Sequence, residues 1–217
     1  MGARLPSPRW QRRPDARPQE LLDAALALFV EKGYAATRLE EVAQRAGVAK
    51  ATLYLYYDNK LELFKAVVRH ALVERFDEVA QAQGRRRIGA REELAALLTA
   101  FVERVASSSL SGIPKLVMAE SGNFPEIARF YHDEVIRRGR AMVVAALERG
   151  AASGEFRPVD TEYAWRIVIA PLLLAIIWKH SFQSFEPAPL DLRRHLEAQL
   201  DILLNGLAAP QKARKRT

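Results

Sequence analysis

Apolar positions recur at intervals of three and four residues along most of the chain, a spacing that predicts helices. Pro18 suits the first turn of a helix, and Gly33 is placed where a helix can end. An amphipathic first helix is therefore predicted over residues 18–32. Its apolar face consists of Leu21, Leu22, Ala25, Leu28 and Phe29.

Two shorter helices joined by a glycine follow. Thr37 and Glu40 have the spacing of a capping box, which predicts that the second helix begins at about Arg38. Gly47 is placed where this helix ends, because glycine adopts the left-handed conformation without a steric clash. A third helix with a polar face is predicted over residues 50–57. This arrangement is typical of a helix-turn-helix, whose second helix enters the major groove of DNA.

The rest of the chain has helical periodicity and no convincing strand alternation. The most apolar run, residues 167–178, is interrupted by Pro171 and is shorter than the ~17–25 residues that span a bilayer. It predicts a buried helix and no membrane association, so the chain is expected to be all-α. Further helices are predicted over about residues 60–82, 91–108, 115–120, 125–149, 160–183 and 189–207.

Composition narrows the functional classes. The chain has 217 residues with 33 Lys and Arg against 26 Asp and Glu, a net charge of +7 that suits a polyanionic partner without proving one. The absence of cysteine excludes disulfides and thiolate chemistry and is compatible with the cytoplasm. No signal peptide, histidine pair at metal-binding spacing or nucleophile motif is recognised. We therefore expect a cytoplasmic protein that is not an enzyme and has no metal or cofactor.

Both ends of the chain are basic. Residues 1–17 carry five arginines against Asp15 alone and are expected to form a disordered arm. That arm could contact phosphates or the minor groove, or it could be a solvated tail. The second basic tail, residues 209–217, is far from the helix-turn-helix in sequence, and a solvated tail is the favoured interpretation there.

The first third of the chain contains a set of residues whose types recur in a specific order and spacing. These residues are Ala25, Phe29, Gly33, Tyr34, Thr37, Val42, Ala43, Ala46, Gly47, Val48, Thr52, Leu53, Tyr54, Tyr57, Lys60, Leu63 and Phe64. Through them the chain resembles the N-terminal domain of the TetR family of transcriptional regulators. The resemblance implies a homodimeric, all-helical and usually ligand-responsive repressor that binds a near-palindromic operator in double-stranded DNA. It also implies a helix-turn-helix domain over residues 18–65 and a helical ligand-binding and dimerisation domain over residues 66–208. Residues 113–182 are similar to a regulatory-domain subfamily of the same family.

The third helix supplies most of the candidate DNA-binding residues. Lys50 can donate to guanine acceptors, and Thr52 can contact a thymine methyl group or a phosphate. Tyr56 suits a phosphate, whereas Tyr54 could face the groove or the core. Ala49 stands where the family commonly has a small hydroxyl residue, so we expect the third helix to lack a side-chain cap.

Three candidates lie at the starts of the neighbouring helices. Thr37 could act as an N-cap and could also bind a phosphate at a helix N-terminus, where backbone amides are free. Arg38 follows it at the expected start of the second helix. Lys60 resembles the phosphate-contacting lysine of the family, and the alternative is a solvated lysine.

The C-terminal part of the chain is rich in aromatic residues. Most are expected to be core, but some could line an apolar pocket between helices for a small apolar or aromatic effector. The candidate ligand-binding residues are Phe101, Glu120, Phe130, Tyr131 and Trp178. The last two helices are expected to pair with those of a second copy as a four-helix bundle. Two alternatives stay open, a helical carrier or bundle enzyme without DNA function and a constitutive DNA-binding protein without an effector.

Overall fold

The protein folds as a series of helices in the computed structural model, which describes residues 17–74, residue 76 and residues 88–209. The helices are α1 Arg17–Lys32, α2 Leu39–Arg45, α3 Lys50–Tyr54, α4 Lys60–Val68, α5 Ala90–Phe101, α6 Gly112–Glu120, α7 Pro125–Tyr131, α8 Arg137–Ser153, α9 Thr161–Ser181 and α10 Leu192–Leu207. Short π-helical turns extend α4 over Arg69–Val73, extend α5 over Val102–Ala106 and join α7 to α8 over His132–Ile136. The all-α prediction is confirmed.

Two helix boundaries differ from the sequence prediction. α3 ends at Tyr54 and not near residue 57, because the carbonyl of Leu53 accepts the amides of both Tyr56 and Tyr57 in a closing turn. α2 begins at Leu39, one residue after the predicted start. The predicted basic arm and tail, apart from Arg17 and Ala209, lie outside the described residues, as does the predicted end of the fourth helix.

The first four helices pack around one hydrophobic core. Leu21, Leu53 and Leu63 are completely buried there. The rings of Phe29, Tyr34 and Phe64 pack against one another with centroids 5.6–5.7 Å apart. This core continues into α6 and α7 through the buried side chains of Ile113, Leu116, Val117, Ile127 and Phe130.

The close approach of α1 to α6 depends on one glycine. A Cβ atom at Gly112 would lie 2.5 Å from a methyl group of Val30, which no side chain can tolerate without a shift. The N-terminal helices therefore pack directly on the start of α6 and not only through the covalent link at the end of α4.

A second core lies between α5, α8, α9 and α10, where Leu94, Leu98, Leu147 and Leu172 are at most 1% exposed. The loop after α8 ties these helices together. Glu155 accepts the amides of Ala90 at 3.0 Å and Arg91 at 3.1 Å, and these bonds lower the pKa of its carboxyl. The carboxylate thus satisfies two free amides at the start of α5.

α9 buries only one of its two apolar faces. By length and composition this helix could cross a membrane, as could the bent pair of residues 90–106 and 109–120, yet only 22% of its most apolar window is buried. Leu172 and Ile176 are completely buried, whereas Ile167 and Leu174 are 66% and 58% exposed. In the single chain, the prediction of a buried helix is therefore correct for one face of α9 and wrong for the other face.

Candidate DNA-binding surface and ligand cavity

The helix-turn-helix is formed by α2, the turn around Gly47 and α3. Gly47 has a φ of 67°, which confirms the predicted left-handed turn, and the next amide, of Val48, bonds the carbonyl of Ala43 at 2.9 Å. Leu53 is completely buried and fixes α3 against the core, as its spacing predicts. Ala49 precedes α3 and provides no side-chain cap, also as predicted.

The outer face of α3 is polar at its start and aromatic at its end. Lys50 is exposed, Thr52 is half-buried, and Tyr54 and Tyr56 are 42% and 44% exposed. Leu55, between the two tyrosines, is 82% exposed, a residue that sequence reasoning did not single out. Arg38 is exposed at the start of α2.

Lys50 does not stand alone on this surface. Its Nζ lies 2.6 Å from a carboxylate oxygen of Glu40 and 5.7 Å from the ring centroid of Tyr54. The hydrogen bond between Lys50 and Glu40 raises the pKa of the Lys50 ammonium and lowers the pKa of the Glu40 carboxyl. Both side chains are about half exposed, so the ion pair is weak. A DNA phosphate can therefore replace Glu40 as the partner of Lys50 at little cost in free energy.

Thr37 has a different role from the predicted one. Its side chain is buried, and its hydroxyl donates to the carbonyls of Gly33 at 2.7 Å and Leu28 at 3.2 Å, at the end of α1. The residue before α2 is Arg38, whose backbone amide is bonded by the Glu41 carboxylate at 3.4 Å. The capping box predicted for Thr37 is therefore wrong, and its hydroxyl is buried and bonded to the end of α1, which does not favour the predicted phosphate contact.

Lys60 is also committed to the protein itself. Its Nζ donates to the carbonyls of Tyr34 at 2.7 Å, Ala35 at 2.9 Å and Thr37 at 3.1 Å, and it lies 4.6 Å from the Tyr34 ring centroid. An ammonium group has three donors, and all three are used here. Burial lowers the pKa of Lys60. The phosphate contact predicted for Lys60 would therefore compete with three bonds that hold the turn between α1 and α2 against the start of α4.

An apolar cavity of about 260 Å³ lies among the helices that follow the DNA-binding part. Each of the three π-helical turns contributes to its wall, through Leu72, Val105 and Val135. Two arginines, Arg104 and Arg140, are the charged residues of a wall that is otherwise nearly all apolar. The remaining wall includes Phe76, Leu97, Phe101, Pro114, Val117, Met118, Tyr131, Val143, Trp165, Ile169 and Leu173.

Two of the five predicted ligand residues, Phe101 and Tyr131, lie in this wall, and burial raises the pKa of the Tyr131 phenol. The other three do not. Phe130 belongs to the first core, beneath the guanidinium of Arg69 at 5.1 Å from the ring centroid. Glu120 accepts the backbone amide of Ala35, and Trp178 is exposed on the outside of α9, against Phe182 at 5.0 Å.

Sequence reasoning missed Trp165, which lies in the cavity wall together with Ile169 and Leu173. These residues are four apart and form one stripe of α9. The spacing of four residues predicts this stripe, but α9 has a second apolar stripe with the same spacing. The sequence alone does not tell which stripe faces inward.

Comparison with known proteins identifies the family. The family described as bacterial regulatory proteins, tetR family, matches residues 21–67, and the tetracyclin repressor-like C-terminal domain matches residues 89–191. The HTH-type transcriptional repressor KstR2 of Rhodococcus jostii is 29% identical over 198 residues, which cover 89% of this chain and 92% of that protein. The transcriptional activator FasR of Mycolicibacterium smegmatis is 38% identical over 95 residues, which cover 44% of this chain and 43% of that protein.

The fold is shared with solved regulators. FadR from Bacillus subtilis, solved in complex with stearoyl-CoA, superposes with a TM-score of 0.75 at 21% identity, covering 87% of this chain and 98% of that one. KstR2 of Mycobacterium tuberculosis superposes with a TM-score of 0.67 at 24% identity, covering 92% and 99%. With both domains matched in order along one chain, the protein belongs to the TetR family and is a DNA-binding transcriptional regulator.

Proposed function

We propose that the protein is a homodimeric repressor that binds a near-palindromic operator and is released from it by a small apolar ligand. The apolar cavity is the observation that carries this proposal. Its wall includes Leu72 on the extension of α4, and α4 is the covalent path to the DNA-binding helices. A constitutive regulator with no effector would be expected to have a filled core at this place.

The DNA-binding part of the proposal rests on α3. Lys50 and Thr52 are the candidates for base edges, and Tyr56 and Arg38 for phosphates. Tyr54 is exposed beside Lys50, which favours a groove-facing position over a packed one. The proposed contact set leaves out Thr37 and Lys60, because both side chains donate to backbone carbonyls.

The exposed face of α9 supports the dimer. Its large side chains, Tyr163, Ile167, Leu174 and Trp178, are 67%, 66%, 58% and 38% exposed and follow one another at helical spacing. Ile202 on α10 is 74% exposed and extends the apolar surface. A contiguous apolar face of this kind marks an interface. A two-fold partner would cover it and present two copies of α3, with half-sites about 34–36 Å apart or at a larger spacing.

The cavity wall also indicates the class of effector. Shifting the protein from 99% DNA-binding state to 99% released state requires a ligand that binds the released state more tightly by about 5.5 kcal/mol. Burial contributes about 0.8 kcal/mol per methylene, so a ligand that buries about seven methylene groups in one state only would suffice. Arg140 pairs with the Glu162 carboxylate at the cavity wall, and its guanidinium has further N–H donors for an anionic group on such a ligand. The relative FadR, solved with stearoyl-CoA, binds a compound that combines both features.

The DNA function is tested with the DNA immediately around the encoding gene. We expect a gel shift with wild-type protein and a footprint of two related half-sites, and Lys50→Ala should weaken the shift without lowering the melting temperature. The sign of regulation is read separately, as transcription from the bound promoter with and without the protein. The absence of any shift, or protection of a single half-site, would contradict the proposal, and activation would contradict the repressor assignment.

A further inference from the structure

We propose that Glu120 is a positioning residue that couples the cavity to the DNA-binding helices by holding the turn between α1 and α2. The inference rests on the proposed function, in which the ligand-free protein binds DNA. Glu120 is the last residue of α6, and one of its carboxylate oxygens accepts the backbone amide of Ala35 at 3.2 Å. This contact joins residues 85 positions apart in the sequence.

The turn is shaped to receive the carboxylate. Gly33 has a φ of +84°, and a Cβ atom built there would lie 3.0 Å from the Glu120 oxygen. A side chain at this position would be strained by the backbone and would crowd the carboxylate. Gly33 therefore serves both the reversal of the chain after α1 and the close approach of Glu120.

Opposite charges hold the turn from two sides. The Lys60 ammonium donates hydrogen bonds to the carbonyls of Tyr34, Ala35 and Thr37. The Glu120 carboxylate accepts a hydrogen bond from the Ala35 amide. The Glu120 charge acts against the burial that lowers the pKa of Lys60.

An aromatic contact reinforces this attachment. The ring of Phe124, in the turn after α6, packs edge-on against that of Tyr34 with centroids 4.9 Å apart. The turn is thus fixed to α6 and to the start of α7 as well as to α4.

The other part of α6 forms the cavity wall. Pro114, Val117 and Met118 line the cavity, and Glu120 follows Val117 by less than one helical turn. A ligand that displaces α6 must also displace the carboxylate. The bond to Ala35 is already 3.2 Å long, so a shift of about 0.4 Å would take it beyond hydrogen-bonding distance.

Release of the turn would reach the DNA surface directly. α2 begins at Leu39, four residues after Ala35, and α2 packs on α3 through Val42 and Ala43. The two copies of α3 in a dimer must match the spacing of the half-sites, so a change of tilt in each copy lowers operator affinity. Glu120 thus connects the cavity wall to the DNA-binding helices in addition to the covalent path through α4 and the packing of α1 on α6.

The test compares Glu120→Ala, which removes the acceptor, with Glu120→Gln, whose side-chain carbonyl can accept the same amide. Glu148→Ala removes the same charge from an exposed position on α8 and is the control. The readouts are the operator dissociation constant, the hydrogen-exchange rate of the Ala35 amide and the melting temperature. For Glu120→Ala we expect faster exchange at Ala35 and operator binding about 3- to 10-fold weaker, with Glu120→Gln within about 2-fold of wild type.

The outcomes separate this inference from the proposed function. Wild-type protein that binds no DNA from around its gene refutes the proposed function. Wild-type binding that Glu120→Ala leaves unchanged, or weakens no more than Glu148→Ala, refutes the positioning role alone. A third outcome has Glu120→Ala lower the melting temperature, Glu120→Gln weaken operator binding as much as Glu120→Ala does, and the Ala35 amide stay protected from exchange. The carboxylate would then act by its charge and not by this bond, which also overturns the inference.

Discussion

Replacing Lys60 by methionine separates a structural lysine from a DNA-contacting one. The substitution keeps most of the length of the side chain and removes three hydrogen bonds to the carbonyls of Tyr34, Ala35 and Thr37. A hydrogen bond from a charged group contributes about 1.5–3 kcal/mol, but the released carbonyls are partly accessible to water, so we expect a total loss of about 2–4 kcal/mol. For a chain of this size that corresponds to a melting temperature lowered by about 4–16 °C.

The salt dependence of DNA binding provides the second readout. A lysine that neutralises a phosphate changes the slope of log affinity against log salt by about one when it is removed. We expect Lys60→Met to leave this slope unchanged. Lys50→Met is the matched control, because Lys50 is exposed in a surface ion pair worth about 0–1 kcal/mol, so its removal should change the slope and not the stability. A Lys60→Met protein of wild-type stability with a reduced slope would refute the reasoning.

Three further expectations concern other parts of the molecule. Tyr56→Phe should weaken operator binding in fluorescence anisotropy without changing the melting temperature, and unchanged affinity would remove the phenol from the contact set. Leu174→Arg on the exposed face of α9 should yield monomers in sedimentation at micromolar concentration, whereas a dimer would place the interface elsewhere. Burial, Lys179 and Lys115 lower the pKa of His180 below its usual 6.5. Stability should therefore fall as the pH drops below about 6.5, and His180→Gln should reduce that fall in melting curves.

The sequence was informative where a local pattern determines the structure. Gly47 adopts the left-handed conformation because the end of α2 requires it, and Leu53 is buried because helical spacing places it on the inner face of α3. Ala49 cannot cap α3 whatever the surroundings. These features depend on residues within a few positions of one another, so periodicity and capping rules predict them.

The side-chain contacts that differ from the sequence prediction join residues that are distant in the chain. Thr37 with Glu40 and Arg38 with Glu41 have the same spacing, and the choice between them is made by carbonyls at the end of α1, which bind the Thr37 hydroxyl. Lys60 is attached to a turn 23 to 26 residues earlier in the chain. No local pattern reports such a contact.

The cavity wall could be predicted only in part for a related reason. Trp165 and Trp178 both belong to α9, and their separation of 13 residues places them on different faces of the helix. α9 is apolar on both faces, so the periodicity does not tell the half-buried Trp165 from the exposed Trp178. Which face of α9 turns inward is determined by its packing against α5 and α8, and the other face stays exposed.

The most direct test of the account is operator release by a ligand of the cavity. Operator dissociation constants are measured by anisotropy for wild-type protein and for Ile169→Trp, whose larger side chain narrows the cavity, with and without the ligand. Stearoyl-CoA, stearate and a panel of apolar aromatic compounds are first screened for a thermal shift. We expect a compound that stabilises the wild type to weaken its operator binding at least about 10-fold and to have a smaller effect on Ile169→Trp. A compound that binds the wild-type cavity and leaves operator affinity unchanged would contradict the account.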